Sequence, residues 1–572
     1  MKILDKCNYI KVPRFILLGL ISCFFICQTP NSNAATIIAT SIVDLQNKIN
    51  AATSGDIIKL ANGRYTNNSI TIAKSNVIVQ AATLGGVYLD GTNAITISGS
   101  HVTFSGFQFT AGAITGNVIS VSGINNVITQ LNFNGYSAQK YIVLNAPSQY
   151  NEVTFCNFEN KPIGAPIGNL IHIDPSATVP GYHKIRYCSF QNMPGLGGDN
   201  GNECIRISNG ATSTYVSRTT IEFCYFNNTG KGDSETISNK CRENVIRYNT
   251  VVNNQDAWFC FRNGDNCVAY GNFFIGAGGI RVKEANNIYC YNNYFENAGV
   301  GGNADAVTLV YYTANSTNVL NNINFLHNTF VNCGSIDLGG VGAINNLWAN
   351  NIFQKSSGNI FTNANLGTTF VGNIYSGTLG ISISSGMTNL NPKLTLNSDS
   401  FYGLSPSSPA INASSASYSA ILDIANVDDD PTILLDISGQ IRPASAIAKD
   451  VGCDEYSTGS TTIHPLKISE VGPSYLVPIV TSIAEKKESN LKVIMNCRNS
   501  MVAFDYFLQK ESRVSAQLYN LDGQLVKTLI MNNLESNGAH HKTFILSEIP
   551  KGLYLIRFIS NNNSQTIKLI LS

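Results

Sequence analysis

Charge is scarce in this sequence. Only 13% of its 572 residues are Asp, Glu, Lys or Arg, and the formal net charge is +1. That leaves no overall basic field of the kind that draws a protein to nucleic acid. Long apolar runs are scarce too. The one near the start, "FILLGLISCFFIC" (Phe15 to Cys27), is too short to span a bilayer comfortably. Lys2, Lys6, Lys11 and Arg14 precede it and "NSNAAT" follows, so residues 1–35 read as an export signal. No transmembrane segment is expected.

Turn and strand formers are plentiful: 48 glycines, 25 tyrosines and 27 phenylalanines, with asparagine dense throughout. That mixture suggests an all-β protein with many tight corners. Three of the 14 cysteines lie in the signal, and three more, Cys156, Cys188 and Cys224, recur in one context: "VTFCNFEN", "IRYCSFQN", "IEFCYFNN". Later segments such as "IRYNTVVN", "CYNNYFEN" and "FLHNTFVN" place asparagine in the same slot. These asparagines stand at 249, 272, 293, 328, 351 and 373, so the steps are 23, 21, 35, 23 and 22 residues. Short strands repeating at roughly 22 residues predict a parallel β-helix, whose coils stack because one coil cannot bury its own apolar face. The asparagines should then form a hydrogen-bonded ladder, as stacked amides do in cross-β structures. In that ladder the cysteines act as small buried hydrophobes, with disulfides as the alternative expected of an exported chain.

The chain is long enough for more than one domain. The solenoid is expected over 36–456 and a polar, turn-rich linker over 457–490. From 491 to 572 apolar and polar residues alternate around the turn "NLDGQ", which predicts a small antiparallel β-sandwich.

Against this background "GDSETISNKC" (232–241) stands out, because it gathers Asp233, Glu235 and Lys240. Two carboxylates side by side repel unless a cation lies between them, and a lysine or a metal ion would serve. Lys240, Arg262 and Lys283 lie nine or ten residues before successive ladder asparagines, and Arg281 is two residues before Lys283. Coils about 4.8 Å apart would stack these cations into a column, which suits a groove for a polyanion. "DNGNECIRIS" in the preceding coil adds Asn200, Asn202 and Glu203, oxygen donors of the kind calcium takes. Five residues separate Glu235 from Lys240, so the backbone must bend, expected at "SNK", for both to reach one face. His172, His183 and His327 lack partners at ligand spacing and are expected to be structural. Trp258 is expected in coil packing, with sugar stacking as the alternative.

"NGNECIRIS", "DSETISNK", "NVIRYNT", "FRNG" and "GGIRV" together resemble the motif series of polysaccharide lyase family six, the chondroitinase B and alginate lyase family. The likeness covers roughly 36–456. It implies a right-handed parallel β-helix and a calcium ion (Ca2+) held by Asn200, with Asn202 the other candidate, and by Asp233 and Glu235. It further implies Lys240 as base and Arg262 as acid; Arg281 and Lys283, as members of the cation column, are expected to bind substrate. Asp233 stands where the family has glutamate, and the histidine that often follows "GGIRV" is absent. The implied reaction is β-elimination on an acidic polysaccharide, alginate being favoured and dermatan sulfate the alternative. A lyase of this kind removes the proton on C5 of a uronate and expels the oxygen on C4, so the base must act as a neutral amine. A glycoside hydrolase using Asp233 and Glu235, or a non-catalytic polysaccharide-binding solenoid, are the rival readings. At the other end, "YNLDGQLV", "GLYLIRF" and the terminal "KLILS" resemble the C-terminal sorting domain of the type IX secretion system. That likeness implies the secretion machinery as a partner and a secreted or cell-surface protein.

Overall fold

In the computed structural model the described residues are 34–196, 201–310, 320–340, 342–415, 433–457, 461–476, 493–498, 501–508, 510–520, 525–550, 552–560 and 563–571. Residues 1–33 of the expected export signal, and Asn200, therefore lie outside the described residues.

Short strands recur along the chain, and each pairs in parallel with the equivalent strand of the next coil. They assemble into one 15-stranded and one 24-stranded sheet, the wall of a parallel β-solenoid. Polar corners are turned by residues with positive φ, many of them asparagines such as Asn228 (φ 54°) and Asn253 (φ 52°), which tolerate the left-handed region. Inside, like side chains stack from coil to coil: the ring centroids of Phe158 and Phe190 are 5.0 Å apart, and those of Phe190 and Phe226 are 4.7 Å apart.

The asparagine ladder forms as the period predicts. Asn249 Nδ2 donates to Asn272 Oδ1 (3.0 Å), Asn272 to Asn293 (3.0 Å), Asn293 to Asn328 (3.0 Å), Asn328 to Asn351 (3.0 Å) and Asn351 to Asn373 (2.9 Å). The cysteine rungs run into it, since the backbone N–H of Cys224 donates to Asn249 Oδ1 (2.9 Å). Cys156, Cys188 and Cys224 are buried with free thiols, as are Cys204, Cys241, Cys260, Cys267, Cys290, Cys333 and Cys453.

The open end of the solenoid is covered by a helix, Ile42–Ala51, capped by Ser41 and burying Leu45 and Ile49. Such a cap removes an exposed sheet edge. At the far end Arg442 is buried and pairs with Glu455 at 3.0 Å. The polar stretch after Tyr456 lies partly against the solenoid. Within residues 461–476, Leu466 N donates to Thr250 Oγ1 (2.8 Å), Gly472 N to the Tyr187 carbonyl (2.8 Å) and Tyr475 Oη to the Gln130 carbonyl (3.2 Å). This part of the expected linker belongs to the first of two compact units, which extends to Val477.

The second unit, Pro478–Ser572, contains a three-stranded and a four-stranded antiparallel sheet. They share a core that includes Val502, Phe504, Leu518, Ile556 and Phe558. Alternation of apolar and polar residues along Ser512–Tyr519 and Gly552–Ser560 turns one face of each strand inward.

Candidate active site

Three consecutive coils present the strands Ile205–Ile207, Glu235–Asn239 and Trp258–Arg262, followed by Ile280–Lys283. Their register decides which side chains meet. Ile205, Ile237, Phe259 and Ile280 align and point into the core. The neighbouring positions therefore face outward, since side chains alternate along a strand. One outward column is His172, Arg206, Ser238, Cys260 and Arg281. Two residues further along, Lys240 follows Asn239, which pairs with Phe261, so it stands beside Arg262, and Arg262 pairs with Lys283. The predicted column of Lys240, Arg262 and Lys283 exists, with Arg281 on the same face.

The carboxylates join it by a different route from the expected one. A bulge lies between Glu235 and Ile237, where Glu235 pairs with Trp258 and Ile237 with the adjacent Phe259. The extra residue, Thr236, reverses the alternation and brings Glu235 to the face of Ser238 and Lys240. The bend is at Thr236, not at "SNK". Asp233 precedes the strand and occupies a turn. Its Oδ1 accepts from the Glu235 N–H (2.9 Å) and its Oδ2 from the Gly201 N–H (2.7 Å).

Glu235 is buried, and Ser238 Oγ donates to its Oε2. Its Oε1 accepts no hydrogen bond and has the Arg262 guanidinium at 3.5 Å. Lys240 Nζ lies 4.0 Å from Glu235 Oε2 and 3.6 Å from Glu203 Oε1. Glu203 is a residue the motif reading undervalued. It also faces Arg206 at 3.9 Å and accepts from Asn169 Nδ2. Burial, and then the nearby Asp233 charge, raise the Glu203 carboxyl above its ordinary value, against the pull of Lys240 and Arg206.

Behind Glu203 the chain of contacts continues. Asn169 Oδ1 meets His172 Nδ1 at 2.8 Å, and His172 Nε2 meets Asp174 Oδ1 at 2.9 Å. His172 thus has partners that its spacing did not foresee; "NLIHID" held the signal, an asparagine and an aspartate three and two residues from one histidine. Burial lowers the His172 pKa, while the hydrogen bond from His172 holds Asp174 below the usual carboxylate range. His183 and His327 do behave as structural residues, fully enclosed and bonded to Asn151 N and the Asp450 carbonyl. Lys161 was also missed. Its buried ammonium donates to the Gly168 carbonyl (2.7 Å) and to Asn202 Oδ1 (2.7 Å), and burial lowers its pKa to about 8.

Calcium suits part of this set. Asp233 and Glu235 are hard oxygen donors, and the buried Glu235 Oε1 has a lone pair that no protein donor uses. Among the described residues no group of three or more His, Cys, Asp or Glu side chains converges as a metal site. The third expected ligand, Asn200, lies outside the described residues.

Trp348 is buried in the core, whereas Trp258, expected in coil packing, is not. It sits half-buried on the outward side beside Glu235, with the Arg281 guanidinium 5.1 Å from its ring centroid.

The fold is similar to that of the polysaccharide lyase family 6 alginate lyase AlyGC, with TM-score 0.62 and 21% identity over 77% of this chain and 59% of that one. It is also similar to a family 6 alginate lyase in complex with a trisaccharide, with TM-score 0.54, 18% identity and coverage of 68% and 94%. A third is a mannuronic acid specific family 6 lyase from human gut microbiota, with TM-score 0.51, 22% identity and coverage of 60% and 87%. The chain spans 59% of the length of AlyGC. No curated protein matches the sequence. Residues 497–572 match the secretion system C-terminal sorting domain, an export signal, and among the described residues no helix is long and apolar enough to cross a membrane. Residues 39–375, more than half of the sequence, match the chondroitinase B family, and the chain belongs to that family.

Proposed function

We propose that this protein is a secreted polysaccharide lyase that cleaves a uronate polymer by β-elimination, with alginate as the favoured substrate. The observation that carries the reading is the adjacency of Lys240 and Arg262 on neighbouring coils of one outward face, with Glu235 between them. Lys240 Nζ takes the proton from C5 of the uronate, the C4–O bond breaks with its electron pair leaving on oxygen, and a C4=C5 double bond remains. A fixed, permanently charged Arg262 stabilises the negative charge that develops on the leaving oxygen. Glu235 and Glu203 hold the Lys240 side chain in place from two sides. Calcium bound by Asp233 and Glu235, with Asn200, would supply Lewis-acid neutralisation of the substrate carboxylate. Arg281 and Lys283, on the strand next to that of Arg262, bind the anionic polymer. The C-terminal sorting domain hands the chain to its secretion machinery and takes no part in catalysis.

Dermatan sulfate is the second reading, favoured by the chondroitinase B match. A hydrolase mechanism fits less well, because both Asp233 oxygens already accept backbone N–H groups and a hydrolase requires two free-acting carboxyls. Incubation with alginates and dermatan sulfate, read by ultraviolet absorbance of the unsaturated product, tests the proposal. Activity should appear on one of them and vanish in Lys240→Ala, which should still bind polymer. Reducing ends released without that absorbance would overturn it.

A further inference from the structure

The cations of the outward face differ in what holds them. Arg206 faces Glu203, Lys240 faces Glu203 and Glu235, and Arg262 faces Glu235. Arg281 pairs with no carboxylate among the described residues, and its buried Nε donates no hydrogen bond. Its guanidinium is instead 5.1 Å from the Trp258 ring centroid, within the range at which an aromatic face attracts a cation. The indole is itself fixed, since Trp258 Nε1 donates to the Asp305 carbonyl at 3.1 Å. Asp305 is pinned in turn, accepting from Ser335 Oγ (2.7 Å) and Thr308 Oγ1 (3.1 Å).

A half-buried cation oriented by a ring, with no carboxylate partner among the described residues, is prepared for an anion from outside. An aromatic face orients guanidinium without occupying the edge that binds a carboxylate in a two-pronged fashion. Arg281 pairs in register with Cys260, two residues before Arg262, so the anion it receives lies beside the bond that Lys240 and Arg262 address. From this we infer that Trp258 is a positioning residue, which holds Arg281 ready for the carboxylate of the uronate next to the one that loses its proton. The inference rests on the lyase reading for what that neighbour does, but the binding claim is separate from it.

The test pairs binding with turnover in the full-length protein, using alginate oligosaccharides and their methyl-esterified counterparts. Wild type should prefer the charged oligosaccharide. Trp258→Ala and Arg281→Ala should each weaken its binding about tenfold, which corresponds to about 1.4 kcal/mol. Neither should change binding of the esterified form. Trp258→Phe, which keeps an aromatic face and the fold, should retain most of the preference. The double variant Trp258→Ala/Arg281→Ala should be no worse than Arg281→Ala alone, and the loss should appear in KM with kcat nearly unchanged. Additive losses, or equal losses on charged and esterified ligands, overturn the inference. A protein that discriminates charge in this way but yields no unsaturated product leaves the inference standing and refutes the lyase reading.

Discussion

Glu203 Oε1 and Lys240 Nζ face each other at 3.6 Å across one coil boundary, closer than the 4.0 Å between Lys240 and Glu235. The acidic neighbour nearest in space to the candidate base is therefore not the one nearest in sequence. Glu203 is 2% exposed, so this contact is poorly screened. Glu203→Gln keeps the shape and the acceptor for Asn169 but removes the charge that holds the lysine. We expect turnover to fall by about 100-fold, the cost of misplacing a reacting group by about 1 Å, with little change in KM. Steady-state kinetics on the best polymer check this, and an unaltered kcat would remove Glu203 from the site.

Metal removal gives a second outcome. A chelator should lower both lyase activity and the thermal midpoint, and calcium should restore both, because an ion that binds only the folded state stabilises it by mass action. Glu235→Gln should abolish the calcium-dependent rise in midpoint. Calorimetry with and without calcium reads the stability arm independently of catalysis.

The ladder makes a claim about stability. Asn293 donates to Asn328 and accepts from both the backbone N–H and the side chain of Asn272. Asn293→Ala strands the Asn272 backbone N–H in a dry interior, at a cost of about 1–3 kcal/mol, while Asn272 Nδ2 keeps the Ile246 and Tyr270 carbonyls. The thermal midpoint should drop by several degrees. Asn228→Ala gives up only an exposed corner amide, so its cost should be chiefly the ~1–2 kcal/mol that alanine incurs at a positive φ.

Acid should destabilise the solenoid through His183. Burial depresses its pKa to about 4 from an ordinary 6.5. The unfolded chain therefore binds the proton first as pH falls, so the folded state loses stability between about 6.5 and 4 and has its full share above 6.5. The loss is of the order of 3 kcal/mol at the acid end. His183→Gln should flatten this part of the curve of thermal midpoint against pH, and a curve that coincides with wild type would assign acid sensitivity elsewhere.

The repeat was legible because a solenoid is nearly one-dimensional. Each coil touches only its neighbours, so a rung such as Asn272 to Asn293 is written into the spacing of the sequence itself. For the same reason the cation column of Lys240, Arg262 and Lys283 could be placed by counting back from the ladder. Counting fails where the backbone departs from the period. The bulge at Thr236 inserts one residue and decides which face Glu235 takes, and no residue type announces it. Contacts between coils that are not rungs were equally hidden, as with Lys161 reaching Asn202 and Asn169 joining His172 to Glu203.

By itself the sequence determined the period, the buried ladder and the order of the chemical groups along the wall, because those follow from side-chain alternation and coil stacking. Only the tertiary structure decided that Trp258 faces outward against Arg281, that Glu203 reaches the lysine first, and that residues 461–476 run back along the solenoid. These depend on a local bulge and on contacts between distant coils, where distance in space is not set by distance along the chain.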